Sequence, residues 1–416
     1  MAQLSDDAFA FGGELMPVDD ALALMAQRVR PVAGVERVAL SRADGRILAQ
    51  DLVAAIPLPP FDNSAVDGYA AATADLDPAG PTRLPVRGRV AAGHAAQDVV
   101  SGSAMRVFTG APVPPGADIV FMQEDVTLQD DGAVSLPAGL RAGANLRRAG
   151  EDVAAGSVAL PAGRRLRPQD LALAAAVGAA ELPVRSALRV GVFSTGDELR
   201  EPGEPLGPAQ IYDSNRTLLG GLLGRLGVTV VDLGRLPDDR ASLERSLRDA
   251  AAGHDLLVTS GGVSTGEEDH VRAAIAATGS LVFWRLAIKP GRPVALGVIA
   301  GTPLVGLPGN PVAVFVTGAH VLRPLVAQLR GETYAPPAGF PVRSGFDYRK
   351  KSGRREYVRV SLQAEPGGHV AVKHPQDGAG VLSSLTETAG LVELPEDALS
   401  VAPGDAVRFI PFGLLW

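Results

Sequence analysis

Between Ala187 and Gly331 the runs LRVGVF, VTVVDLG, DLLVTS, LVFWRLAI and VALGVI are separated by longer stretches with helical spacing of apolar residues. Those stretches include NRTLLGGLLGRLG, DDRASLERSLRDAAAG and DHVRAAIAATG, and PVAVFVTGAHVLRPLVAQLRG closes the series. Continuous apolar runs of strand length suit strands buried on both faces, and strands alternating with helices demand crossover connections. The fold class expected is therefore α/β: a doubly wound, mostly parallel sheet with helices on both faces. Ligands of such sheets bind outside the carboxyl ends of the strands.

The flanks differ in texture. Before Ala187 the chain is rich in Pro, Gly and short β-like runs such as LPVRGRVAAG, which predicts β-rich or mixed amino-terminal modules. LALAAAVGAAELPV (Leu171 to Val184) is too short to cross a bilayer and reads as a buried helix. After Gly331 the stretch YAPPAGFP reads as a linker, and the alternating YVRVSL, HVAVKH and DAVRFI predict a small carboxy-terminal β-barrel. A chain of 416 residues is too long for one ordinary core and implies several domains.

Composition narrows the function. Lys plus Arg number 39 against 46 acids, for a net charge of −7, so the broad basic face of a nucleic-acid binder is not expected. Any anionic ligand needs a local cluster. The absence of cysteine excludes thiolate nucleophiles and thiolate metal sites, leaving oxygen or histidine ligands for any metal. The amino terminus carries acids where a secretory signal would be basic, which predicts a cytoplasmic protein without membrane contact.

Four loops fall at predicted carboxyl ends of strands: STGDEL (Ser194 to Leu199), the turn ending in Asp238 and Asp239, SGGVSTGEED (Ser260 to Asp269) and GLPGNP (Gly306 to Pro311). Their glycines let backbone amides converge on an oxyanion. Asn310 as N-cap with Pro311 at the first helical position predicts free amides facing a ligand phosphate. Taken singly, each loop is equally an ordinary strand-to-helix turn, and acids at a helix start are favoured by the dipole alone. Together they bring Glu198, Asp238 and Asp269 toward one edge, a set suited to a magnesium ion bridging phosphates. Opposite charge comes from WRLAIKPGRP, with Arg285, Lys289 and Arg292, and from KKSGRREY, where Lys350 and Lys351 read as solvated surface.

FDNSAVDGYA, TGAPVP, RRAGEDV, FSTGDEL, IYDSN, SGGVSTGEED, WRLAIKPGRP and GLPGNPV, in that order, resemble the molybdopterin molybdenumtransferases of the MoeA type, shared with the gephyrin E domain. The resemblance implies a homodimer of four-domain subunits: residues 15–35 with 187–331, residues 36–55 with 157–186, residues 56–156, and residues 332–416. It implies insertion of molybdate into adenylylated molybdopterin with release of AMP. The divalent cation would be held by Glu198, Asp238 and Asp269. By the same resemblance Lys289 belongs to the catalytic set, Asp67 and Thr109 to the partner side of the cleft, and Arg354 to molybdate. Ser194, Thr195, Gly196, Asp197, Gly261, Gly262, Ser264, Gly266, Arg285, Arg292, Pro308, Gly309 and Asn310 complete the expected substrate site. Molybdopterin adenylyltransferase and recipient molybdoenzymes are further contacts it raises. Two departures stand out. Arg285 replaces a lysine of some relatives, and QDGAG (Gln376 to Gly380) has Ala379 where the family places a serine, so Ser383 or Ser384 would have to supply that hydroxyl. Adenylyltransferase activity, or a pterin-binding scaffold without catalysis, are the alternatives.

Overall fold

The computed structural model describes residues 15–237, 239–262 and 270–416. Its centre is a six-stranded sheet of β1 (Arg189–Ser194), β2 (Thr229–Arg235), β3 (Leu256–Ser260), β4 (Gly279–Arg285), β5 (Pro293–Ile299) and β6 (Thr302–Leu307), in the order β2-β1-β3-β6-β5-β4. β2, β1, β3 and β6 are mutually parallel, and β5 runs antiparallel between β6 and β4. The mostly parallel sheet expected from the alternation is present.

β6 lies in TPLVGL, where no strand was expected. It forms a hairpin with β5 through Ala300 and Gly301, both at positive φ (48° and 92°), the backbone that a two-residue hairpin turn requires. Both faces of the sheet are covered, which explains why β3 is buried at every residue. Leu256 and Val258 pack with Leu219 and Leu223 of helix Ser214–Arg225, whereas Leu257 packs with Leu243 and Leu247 of helix Arg240–Gly253. Each such side chain, fully buried, contributes roughly 1.5 to 3 kcal/mol.

The closing helix, Pro311–Leu329, is apolar and long enough to cross a bilayer, yet 89% of its most apolar 18 residues are buried inside the fold. It widens into a π turn over Gly318–Leu322. Pro324 has no N–H to give the carbonyl of His320 and its ring crowds that carbonyl, so the widened turn falls one position before the proline's own turn.

Helix Val18–Arg28 packs on the same core through Val18, Ala21 and Met25. Strand Val35–Ala39 pairs with Glu181–Arg185. LALAAAVGAAELPV differs from expectation: helix Pro168–Ala176 stops at Val177, Gly178 follows at positive φ, and the remainder is the strand Glu181–Arg185. Only Asp170 and Ala174 of that helix are buried. A second six-stranded sheet, 119–122, 68–71, 104–107, 82–90, 133–136 and 127–128, forms the β-rich module.

The tail is a closed barrel. Strands 355–365, 368–373, 340–344, 406–411 and 390–394 pair in sequence, and 390–394 pairs back onto 355–365. Val358, Val360, Val392 and Phe409 fill it. The α/β half adds the short strand Ile288–Lys289 to this barrel, parallel to Arg355–Glu356.

Candidate active site between the sheet edge and the barrel

Three of the four expected loops converge at the carboxyl edge. Ser194 ends β1 and donates from Oγ to Asp213 Oδ2 at 2.5 Å, while Asp213 caps the following helix by accepting from the Arg216 amide at 3.1 Å. Gly261 donates to the Leu307 carbonyl at 3.0 Å, drawing the loop after β3 onto β6. Gly262, at φ 65°, leaves no room for a Cβ, which would lie 2.9 Å from Thr195 Oγ1. The Gly309 carbonyl accepts from Asn215 Nδ2 at 2.7 Å. Ser194, Thr195, Gly196, Gly261, Gly262, Pro308 and Gly309 thus lie on adjoining strand ends, and Asp197 and Glu198 are exposed beside them. Asp238, Ser264, Gly266 and Asp269 lie outside the described residues. Among those described, no cluster of three or more His, Asp or Glu is placed to hold a metal. Glu198 alone of the expected ligands can be located, and an exposed carboxylate is the hard oxygen donor that magnesium takes.

Asn310 occupies the N-cap position but makes no side-chain cap, and the amides beyond it are not all free. Val312 N–H donates to the Ala379 carbonyl at 3.1 Å, so a barrel loop takes a donor expected to face a phosphate. That contact helps close a cavity of about 400 Å³ whose wall includes Lys289, Asn310, Tyr357, Arg359, His374 and Ala379. Gly291, also on the wall, sits at φ 116° with Thr317 directly where a Cβ would stand.

The cationic residues divide unexpectedly. Arg354 is not on this wall; its Nε donates to Glu356 Oε1 at 2.7 Å. The arginine that does line it is Arg359, which is 6% exposed and has no carboxylate at ion-pair distance among the described residues. Its guanidinium donates to the carbonyls of Gly378 and Gln376, both at 2.9 Å, and to Ser384 Oγ at 2.7 Å. A period of two along YVRV carries the signal for it. Val358 and Val360 fill the barrel, so Tyr357 and Arg359 face outward to the sheet edge.

Lys289 lines the cavity and has partners of its own. Nζ donates to Tyr348 Oη at 3.0 Å and to Glu356 Oε2 at 3.1 Å. Burial opposes its charge, but the bonds to Tyr348 and Glu356 outweigh it and raise the Lys289 pKa. Lys350 is also not solvated: its ammonium is buried and donates to the carbonyls of Pro395 and Ala398 at 2.7 and 2.8 Å. Arg285 and Arg292 lie near this edge, their carbonyls accepting from Met16 and Leu286, but neither lines the cavity.

Neither candidate hydroxyl replaces the one missing at Ala379. Ser384 is buried, accepting from Arg359 and donating to the Val381 carbonyl at 2.5 Å, and Ser383 is exposed away from the wall. Asp67 and Thr109 lie together on the β-rich module, not at the cavity. Thr109 donates to Asp67 Oδ1 from its amide and its hydroxyl, both at 2.8 Å, and these bonds hold the Asp67 carboxyl below its usual range.

Comparison with known proteins agrees along the chain. Residues 16–178 match the MoeA N-terminal region (domain I and II), residues 191–328 a probable molybdopterin binding domain, and residues 341–412 the MoeA C-terminal region (domain IV). A molybdopterin molybdenumtransferase of Haemophilus influenzae is 38% identical over 404 residues, covering 96% of this chain and 100% of the relative. Molybdopterin molybdenumtransferase 2 of Mycobacterium tuberculosis is 37% identical, covering 93% and 96%. The crystal structure of a molybdopterin biosynthesis moeA protein from Pyrococcus horikoshii superposes with a TM-score of 0.80 at 31% identity, covering 96% of this chain and 100% of that one. From these matches, over nearly its whole length, the chain belongs to the molybdopterin molybdenumtransferase family.

Proposed function

We propose that the cavity between sheet edge and barrel binds molybdate, and that the protein inserts it into adenylylated molybdopterin with release of AMP. Family membership makes the protein a transferase that inserts molybdenum in cofactor biosynthesis. The observation that carries the finer reading is Arg359. The hydrogen-bond partners of this buried guanidinium are all neutral, so it keeps a full charge to offer an anion, and Arg359 faces a cavity that Lys289 lines too, with Asp377 the carboxylate on the same wall. The glycine-rich strand ends next to it suit the pyrophosphate and pterin of the nucleotide. Magnesium, held by Glu198, Asp238 and Asp269, would offset the charge that builds as the phosphoanhydride breaks. The protein works in the cytoplasm as a homodimer, with Asp67 and Thr109 of one subunit completing the cleft of the other. An adenylyltransferase reading would leave the barrel wall of the cavity, Arg359 included, without a purpose.

The test is AMP release from purified adenylylated molybdopterin with molybdate and magnesium varied. Arg359→Lys keeps a charge but not the planar fork, and should raise the half-saturating molybdate by about tenfold or more, with direct binding of the nucleotide unchanged. Glu198→Gln and Asp269→Asn should bind the nucleotide yet release AMP roughly a hundredfold to a thousandfold more slowly, with partial rescue by excess metal. Wild-type molybdate dependence in Arg359→Lys removes that residue from the oxyanion site, and wild-type AMP release in both acid variants removes the metal assignment.

A further inference from the structure

Glu356 stands where the barrel accepts its borrowed strand. Lys289 pairs with it in register, and the neighbouring Arg355 N–H donates to the Ala287 carbonyl at 2.8 Å. The Glu356 side chain is 1% exposed, and both its oxygens are engaged. Oε2 accepts from Lys289 Nζ at 3.1 Å and from the Tyr348 hydroxyl at 2.8 Å, and Oε1 accepts from Arg354 Nε at 2.7 Å. Burying a carboxylate costs several kcal/mol unless such partners surround it.

The consequence falls on Lys289. An ammonium has three N–H donors; two are directed by Glu356 and the Tyr348 oxygen, which leaves one for the cavity that Lys289 and Tyr348 line. A lysine is a point charge on a flexible stem, so its own length does not determine where the charge sits. One carboxylate between two cations leaves the group with a net positive charge, as an anion site needs.

We propose that Glu356 is the positioning residue of the oxyanion site, fixing the Lys289 ammonium at the cavity wall while Arg354 keeps the group cationic. The proposal rests on the cavity being the molybdate site. Glu356 touches no substrate and acts through Lys289.

The chain has only four lysines, Lys289, Lys350, Lys351 and Lys373, so protein carrying carbon-13 at lysine Cε allows Lys289 to be titrated individually by NMR. In Glu356→Gln, burial is no longer opposed by a negative charge, and Lys289 should lose its proton at lower pH than in the wild type, with Lys373 as internal reference. Half-saturating molybdate at pH 7 should rise by about tenfold, the rate at saturation being much less affected, and the defect should deepen as pH rises. Glu356→Asp keeps the charge and should recover part of the loss, which also guards against a Gln variant that folds poorly. In a Lys289→Met background, Glu356→Gln should add nothing to the molybdate dependence. Wild-type titration of Lys289 in Glu356→Gln, or a full additional loss in the Lys289→Met background, overturns the proposal. A shifted Lys289 titration with molybdate dependence unchanged in both single variants instead overturns the oxyanion reading on which it stands.

Discussion

Restoring a hydroxyl at Ala379 should strengthen oxyanion binding. Ala379 lines the cavity, and its carbonyl is held by the Val312 amide at 3.1 Å, so Ala379→Ser adds an oxygen on a backbone already fixed in place. A hydroxyl donating to an anion forms a charge-assisted hydrogen bond worth about 1.5 kcal/mol at the low end of the usual range, which is the relevant end for a cavity open to water. Ordering the new side chain costs about 0.5 kcal/mol. The remaining gain of about 1 kcal/mol corresponds to a roughly fivefold lower half-saturating molybdate. Calorimetric titration of molybdate, paired with AMP release at varied molybdate, measures it, and the variant's melting temperature guards against a folding effect. An Ala379→Ser protein of normal stability with unchanged or weaker molybdate binding would refute the placement of the anion at this wall.

Two further outcomes are expected. A verified heterodimer of Asp67→Asn and Glu198→Gln chains should recover part of the activity through one intact cleft, and no recovery would argue against a site shared between subunits. Burial pushes the Asp170 carboxyl up, but hydrogen bonds from Arg167 and Arg164 outweigh it and lower the pKa from 3.8 to about 2. Because the folded value is the lower one, this contribution of about 2 kcal/mol is present above pH 4 and is lost as pH falls through about 2. Urea unfolding from pH 5 to pH 2 should show that loss in the wild type and not in Asp170→Asn; equal acid sensitivity would dismiss it.

The sheet was legible because burial on both faces writes itself as apolar runs such as DLLVTS, and the loops because glycine and asparagine mark the strand ends. TPLVGL escaped because Pro303 is unfavourable inside a strand and the turn Ala300–Gly301 lacks the usual asparagine or aspartate; β6 tolerates the proline near its start. The site's barrel wall was hidden for a different reason. The period of two in YVRV sets Arg359 on the face opposite Val358 and Val360, but that this face is the one turned to the sheet edge is a tertiary fact that no local pattern in KKSGRREYVRV contains. The same charge run reads as solvated surface, yet it includes the buried ammonium of Lys350 and, in Glu356, the carboxylate beneath Lys289.

The strand lent by the α/β half to the barrel also makes the cleft a rigid seam. Lys289 is stitched beside Glu356, and Tyr357 of the barrel stacks on His320 of the closing helix with its ring centre 4.1 Å away. Leu391 and Ile410 of the barrel join the core of the α/β half, and Phe412 packs edge-on against Phe315. The Val312 bond to Ala379 is therefore one tie among several, so the cationic wall and the glycine turns of the sheet edge are held in one fixed relation, and an oxyanion and a nucleotide seated on the two sides meet at a distance set by the fold rather than by the ligands.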